Sequence, residues 1–126
     1  MSKKTLATIG WVLTAILSLL FIFSAYGKLT LNEMATSLAA SMGISTPVFR
    51  VIGMIEILSV IVFIIPRTGL LGSFLLIAYM GGAIATHLQH QQPIAMAVAV
   101  QIILWITVAV RFPETLERLL GKNNNK

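Results

Sequence analysis

The chain has 126 residues, of which 57% are hydrophobic and 10% charged, with a mean hydropathy of +0.92. A soluble domain of this length could not hide so much apolar surface, so the composition excludes that class and leaves an integral membrane protein. The net charge of +5 comes from basic residues at the ends of apolar segments, where it reports topology rather than nucleic-acid binding, and the absence of cysteine excludes thiol–disulfide chemistry, Cys-ligated metals and iron–sulfur clusters.

A spanning helix needs about 20 largely apolar residues. Four stretches meet that need, at about 6–28, 48–65, 69–88 and 94–110. The uncharged run from Thr5 to Gly27 is too long for the core of a cleaved signal peptide, so it is read as the first span. Within it Gly10, Thr14 and Ser18 recur every four positions, a stripe of small residues that admits a neighbouring helix. The connection that follows, "LTLNEMATSLAASMGISTP", carries its own helix signals. Asn32 is a fair N-cap, Gly43 sits where a C′ glycine belongs, and Met34, Leu38 and Met42 recur at i, i+4, i+8. This spacing predicts a short amphipathic helix over 33–42, lying in the interface.

The second span is bracketed by Pro47 and Pro66, tolerated in a first turn and just past a last one. "PRTG" then predicts a tight turn between antiparallel neighbours, and "QHQQP" a second one between spans three and four. Ala78, Gly82 and Thr86 form another small-residue stripe on span three. After the fourth span, Pro113 is a plausible N1 residue, Glu114 and Arg118 are spaced as an i,i+4 pair, Gly121 ends the turn, and the Asn-rich tail is expected to be disordered.

The expected fold is therefore all-α: an integral membrane four-transmembrane-helix bundle over 1–112, with a short amphipathic helix in the first outer loop. Residues 113–126 form a short cytoplasmic interfacial helix and a tail. With both termini inside, Lys3, Lys4, Arg67, Arg111, Arg118, Lys122 and Lys126 are inner, and Lys28 and Arg50 outer. Seven against two favours cytoplasmic termini.

Glu56 is the residue that most needs an explanation. A charge at the centre of a span costs on the order of 2.5–3.5 kcal/mol, so Glu56 should face the interior and have a partner there. Gly53, one turn away, would let a helix or a ligand come close. At 1.5 Å per residue, Glu56, Tyr79 and Gln101 all lie about 11–13 Å below the outer ends of their helices, with Ser24, Lys28, Thr86 and His87 nearer the mouth. Lys28 is the favoured partner of Glu56, though it starts one to two turns above it and a bridging water is one way to close the gap. The candidate ligand-binding or polar-network residues are thus Lys28, Glu56, Tyr79, Thr86, His87 and Gln101, in a polar pocket centred on Glu56 and open to the outer side. The same residues could instead be a hydrogen-bond knot that fixes helix register. His87 and His90 at i, i+3 lack the further ligands a metal site needs, so no metal is expected.

The order of motifs also resembles a known family. "FSAYGKL" closes the first span, "VIGMIEILSVIVFIIPRTGLLGSFLLIAYMGGAIATHL" follows, and "WITVAVRF" closes the last. This is similar to the DoxX-like family of small bacterial four-helix membrane proteins, over about Phe21 to Phe112. The family pattern falls on Lys28, Glu56, Pro66, Arg67, Gly82, Thr86 and His87. The family takes its name from a subunit of a thiosulfate:quinone oxidoreductase, and distant relatives handle quinones and disulfides; this chain has no cysteine for the second task. The resemblance implies a multi-pass protein of the bacterial cytoplasmic (inner) membrane that binds a small lipophilic, quinone-like molecule or serves as a membrane subunit beside redox chemistry. The alternatives are an assembly partner for a larger membrane complex, in hetero- or homo-oligomeric form, and a small transporter in which Glu56 titrates. Stand-alone catalysis is not expected, since no nucleophile–base pair or cofactor fingerprint is present. No nucleic-acid partner is expected.

Overall fold

A computed structural model describes residues 2–121, and these are helical with no strand among them. The elements are α1 (Lys3–Thr30), α2 (Glu33–Ser41), α3 (Thr46–Ile64), a 3-10 turn (Pro66–Thr68), α4 (Gly69–Gln89), α5 (Ala95–Arg111) and α6 (Pro113–Leu119). Lys3–Thr30, Thr46–Ile64 and Pro66–Gln89 are each long and apolar enough to cross a bilayer. A fourth crossing segment is reached if α5 is counted with α6, although the two are bent by 110° at Phe112–Pro113. The Asn-rich tail, residues 122–126, lies outside the described residues.

Local chemistry sets the boundaries. Asn32 caps α2, its side chain accepting from the Ala35 N–H at 2.8 Å. Gly43 follows α2 at φ +67°, a conformation that glycine adopts without a Cβ penalty. Pro47 sits in the first turn of α3, and Ile65, just before Pro66, is extended, as a residue preceding proline must be. The expected "PRTG" turn is a single 3-10 turn, closed by the Thr68 hydroxyl donating to the Val62 carbonyl at 2.8 Å. Gly121 takes φ +76° after α6. Glu114 and Arg118 do not close into an ion pair; both are exposed, and the sole ion pair among the described residues is Lys28–Glu56.

The long helices form a ring of neighbours. α1 packs on α3 and α5, and α4 packs on α3 and α5. Leu17 and Phe21 of α1, Val60 and Phe63 of α3, Leu76 and Met80 of α4, and Val100 and Leu104 of α5 fill the middle of that ring. The outward faces stay apolar, with Leu19 70%, Phe23 74% and Leu58 61% exposed, which is the pattern of helices whose surroundings are lipid.

Small residues act where backbones meet. The Gly10, Thr14, Ser18 stripe is buried, and a Cβ on Gly10 would lie 3.3 Å from the Arg111 Cβ on α5. Gly72 on α4 lies against the Phe63 main chain of α3 so closely that no Cβ fits. Gly82, however, touches nothing: an added Cβ would meet no atom within 4 Å. The expected Ala78, Gly82, Thr86 packing stripe is therefore corrected, because α4 has no helix against that position.

Candidate functional site

The site is built at the α2 end of the ring. Ser24 and Lys28 stand one turn apart on α1, so their side chains share a face. Gly53 on α3 opens the space beside them: a Cβ there would lie 2.9 Å from the Lys28 Cβ and 3.4 Å from the Ala25 carbonyl oxygen. This close approach brings the stem of Lys28 down to the level of Glu56. The Lys28 ammonium then donates directly to Glu56 Oε1 at 3.1 Å and to Ser24 Oγ at 2.5 Å, and no bridging water is required. The ion pair is enclosed, with side-chain exposures of 12% for Lys28 and 1% for Glu56. The ammonium also lies 5.5 Å from the Phe49 ring centroid, within cation–π reach.

Beside the pair lies a cavity of about 440 Å³, within the range of small-molecule sites. Its floor is Phe21, Met80 and Val100, its walls include Ile52, Ile55 and Ala83, and Leu38, Met42 and Ile44 line it at the α2 end. The amphipathic helix thus caps the cavity with part of its stripe. Met42 is buried at 6% exposure and Leu38 lies at the rim, whereas Met34 is 77% exposed and points away.

Glu56 itself does not line the cavity. The expectation of a pocket centred on Glu56 is corrected: Ser24, Lys28 and Tyr79 form the wall in front of it. Tyr79 adjoins the Glu56 carboxyl from α4 without a hydrogen bond of good geometry, and its ring meets Phe21 edge-on at 6.3 Å. Thr86 and His87 also line the cavity, but neither reaches Glu56. Each is satisfied on its own helix, Thr86 Oγ1 by the Gly82 carbonyl at 2.8 Å and His87 Nδ1 by the Ala83 carbonyl at 2.6 Å. That contact assigns the proton to His87 Nδ1 and leaves Nε2 as its second polar atom.

Gln101 stands outside this group. Its Nε2 donates to the Ile77 carbonyl at 3.1 Å, tying α5 to α4, and it is not on the cavity wall. Equal depth was not enough to bring it to Glu56, because its side chain leaves α5 toward α4 at a different angle around the ring. Pro66 and Arg67, which share the family pattern, lie at the opposite end of α4 and are exposed.

Two residues absent from the sequence-derived set belong here. Ser24 is the second partner of Lys28, and the signal was available in its i, i+4 spacing. Arg111, read from sequence only as a topology charge, turns inward at the far end. Its Nη1 donates to the Phe63 carbonyl at 2.9 Å and to Thr14 Oγ1 at 3.3 Å. The guanidinium sits among the rings of Trp11, Phe112 and Phe63, at 4.3, 5.0 and 5.3 Å from their centroids. Gly10 and Gly69 make room for it. No local spacing distinguishes such an arginine from an interfacial anchor.

The model of the DoxX-like family matches residues 12–110. The chain belongs to the DoxX-like family and is a membrane protein of that family. No curated protein and no solved structure matches it.

Proposed function

We propose that this DoxX-like protein is a four-span bundle of the bacterial cytoplasmic membrane, over residues 1–112, whose cavity binds a small lipophilic molecule of the quinone type. In this reading the protein is a ligand-binding membrane subunit beside redox chemistry. Residues 113–126 then form a cytoplasmic interfacial segment. The observation that carries the reading is the cavity: a mostly apolar chamber of about 440 Å³ with one ammonium held at its wall. Glu56 and Ser24 occupy two of the three donors of Lys28. The third can serve a carbonyl oxygen, with Tyr79, Thr86 and His87 as further polar contacts. Glu56 positions Lys28 and does not itself touch the ligand.

Binding is supported over passage. Below the cavity the apolar cluster of Leu17, Phe21, Val60, Phe63, Leu76 and Leu104 fills the ring. The buried hydroxyls of Thr14, Ser59, Ser73 and Thr107 donate to carbonyls of their own helices and form no chain of hydrogen bonds across it.

A decyl-benzoquinone carrying a diazirine on its tail tests the reading. Saturable photolabelling of the purified protein should map to α4 and α5 around Met80, Ala83 and Val100. Gly82→Leu, which fills the open space beside the cavity, should lower labelling at least tenfold without lowering the melting temperature. Labelling that never saturates and falls only on lipid-facing residues such as Leu19 and Phe23 would refute it.

Orientation has its own test. Ser37→Cys and Glu117→Cys should differ in reaction with an impermeant maleimide on spheroplasts, with position 37 labelled and position 117 protected. The reverse pattern would place the cavity on the cytoplasmic side.

A further inference from the structure

We infer that the cavity is loaded sideways from the bilayer, through a slot between α3 and α4, and that its occupant is a lipid-dissolved molecule with an uncharged polar head. The inference rests on the ligand-binding reading above and adds the route and the ligand's charge. The slot follows from the open flank of α4 at the level of the cavity. At Gly72 the α4 backbone abuts the Phe63 main chain of α3, leaving no room for a Cβ. Ten residues further along α4, about 15 Å at the helical rise, Gly82 meets nothing within 4 Å. At about 100° per residue Gly82 sits about 80° around α4 from the Gly72 contact, so this flank of α4 is open at the level of the cavity.

The residues at the gap fit an entrance. Gly82 and Ile55 both line the cavity, and both are exposed, Ile55 at 52%. Leu20 of α1 and Met96 of α5 also line the cavity and are exposed, at 41% and 73%, but they carry long side chains where Gly82 carries none. The end of the cavity that would face water is instead lined by Leu38, Met42 and Ile44, with Met42 only 6% exposed. Apolar residues thus line the end-on route, while a glycine widens the lateral one. A molecule that reaches Lys28 by this path crosses lipid first, which selects against a charged solute.

The charge at the cavity points the same way. Lys28 is the one arginine or lysine on its wall, and Glu56 already neutralises it at 3.1 Å. A carboxylate or phosphate head would have to compete with Glu56 for Lys28. A neutral acceptor such as a carbonyl would only use the remaining N–H.

The chain has no cysteine, so paired cysteines can be introduced cleanly. Ile55→Cys with Gly82→Cys, joined by a short bis-maleimide in vesicles, should slow uptake of the diazirine decyl-benzoquinone at least tenfold relative to the same variant before crosslinking. Probe loaded beforehand should be released correspondingly slowly. Decanoate should compete for the site at least tenfold more weakly than decanol. An uptake rate untouched by the crosslink would overturn the route, as would slowing by a Leu20→Cys/Met96→Cys crosslink across the α1–α5 seam in its place. Decanoate competing as well as decanol would overturn the neutral head. If the uncrosslinked protein shows no saturable labelling at all, the ligand-binding reading fails and the route falls with it, a result distinct from either.

Discussion

Glu56→Gln should destabilise the protein by about 3–5 kcal/mol, Lys28→Met should do so comparably, and the double variant should lose far less than the sum. The reason is enclosure. With Glu56 at 1% exposure and Lys28 at 12%, the carboxylate is cut off from water when its partner is removed, and the ammonium reaches only the cavity. Glutamine keeps the size of Glu56 and can still accept from Ser24 and Lys28, so the loss reports the missing charge rather than a cavity. Lys28→Met keeps the stem that packs beside Gly53 and removes the ammonium that bonds to both Ser24 and Glu56. Replacing both members leaves no stranded charge, and an apolar pair of similar volume is often nearly neutral. Thermal melts in detergent for the four proteins measure this directly. Single losses that simply add would show that the two side chains are not coupled.

The Lys28–Glu56 pair was legible because an inward face, a small neighbour at Gly53 and a cation within reach together relieve a carboxylate in the middle of "VIGMIEILSV". The helix ends were legible for equally local reasons, in the Asn32 cap, the Gly43 left-handed residue and the prolines at positions 47, 66 and 113. What failed had a common cause. Helical periodicity gives the face of a helix but not which neighbour that face meets, nor how far away the neighbour is. Gln101 shares the depth of Glu56 and is turned to Ile77 instead. Gly82 has the spacing of a packing stripe and faces open space, while Gly72, in no stripe, is the true contact. Arg111 looks like any terminal anchor until Gly10 and Gly69, remote in sequence, are seen to clear its path inward.

The same separation explains how one short chain holds two inward cations in an apolar ring. Lys28 is neutralised by a carboxylate and therefore demands nothing further of a ligand than a hydrogen bond. Arg111 is held without one, by a main-chain carbonyl, a threonine hydroxyl and three aromatic faces. The apolar cluster from Leu17 to Leu104 lies between them, so the two ends are independent polar sites rather than halves of one path.

Gly72→Ala should be among the most damaging single-methyl changes in this chain, whereas Gly82→Ala should be harmless. At Gly72 the new Cβ would fall on the nitrogen and Cα of Phe63, and main chain cannot turn aside as a side-chain tip can. α3 and α4 would have to part at the point where Phe63 and Leu76, both fully buried, seal the core. Overpacking of this kind costs typically about 1–3 kcal/mol and occasionally more, and an obstacle made of backbone puts Gly72→Ala at or above the top of that range. At Gly82 the methyl enters empty space, and alanine's better helix propensity, about 0.8–1.0 kcal/mol in soluble helices, is set against no clash. Denaturation of both variants in the same detergent decides the matter. Equal losses at the two positions would mean that Gly82 has a packed neighbour, and the open flank that forms the slot would not exist.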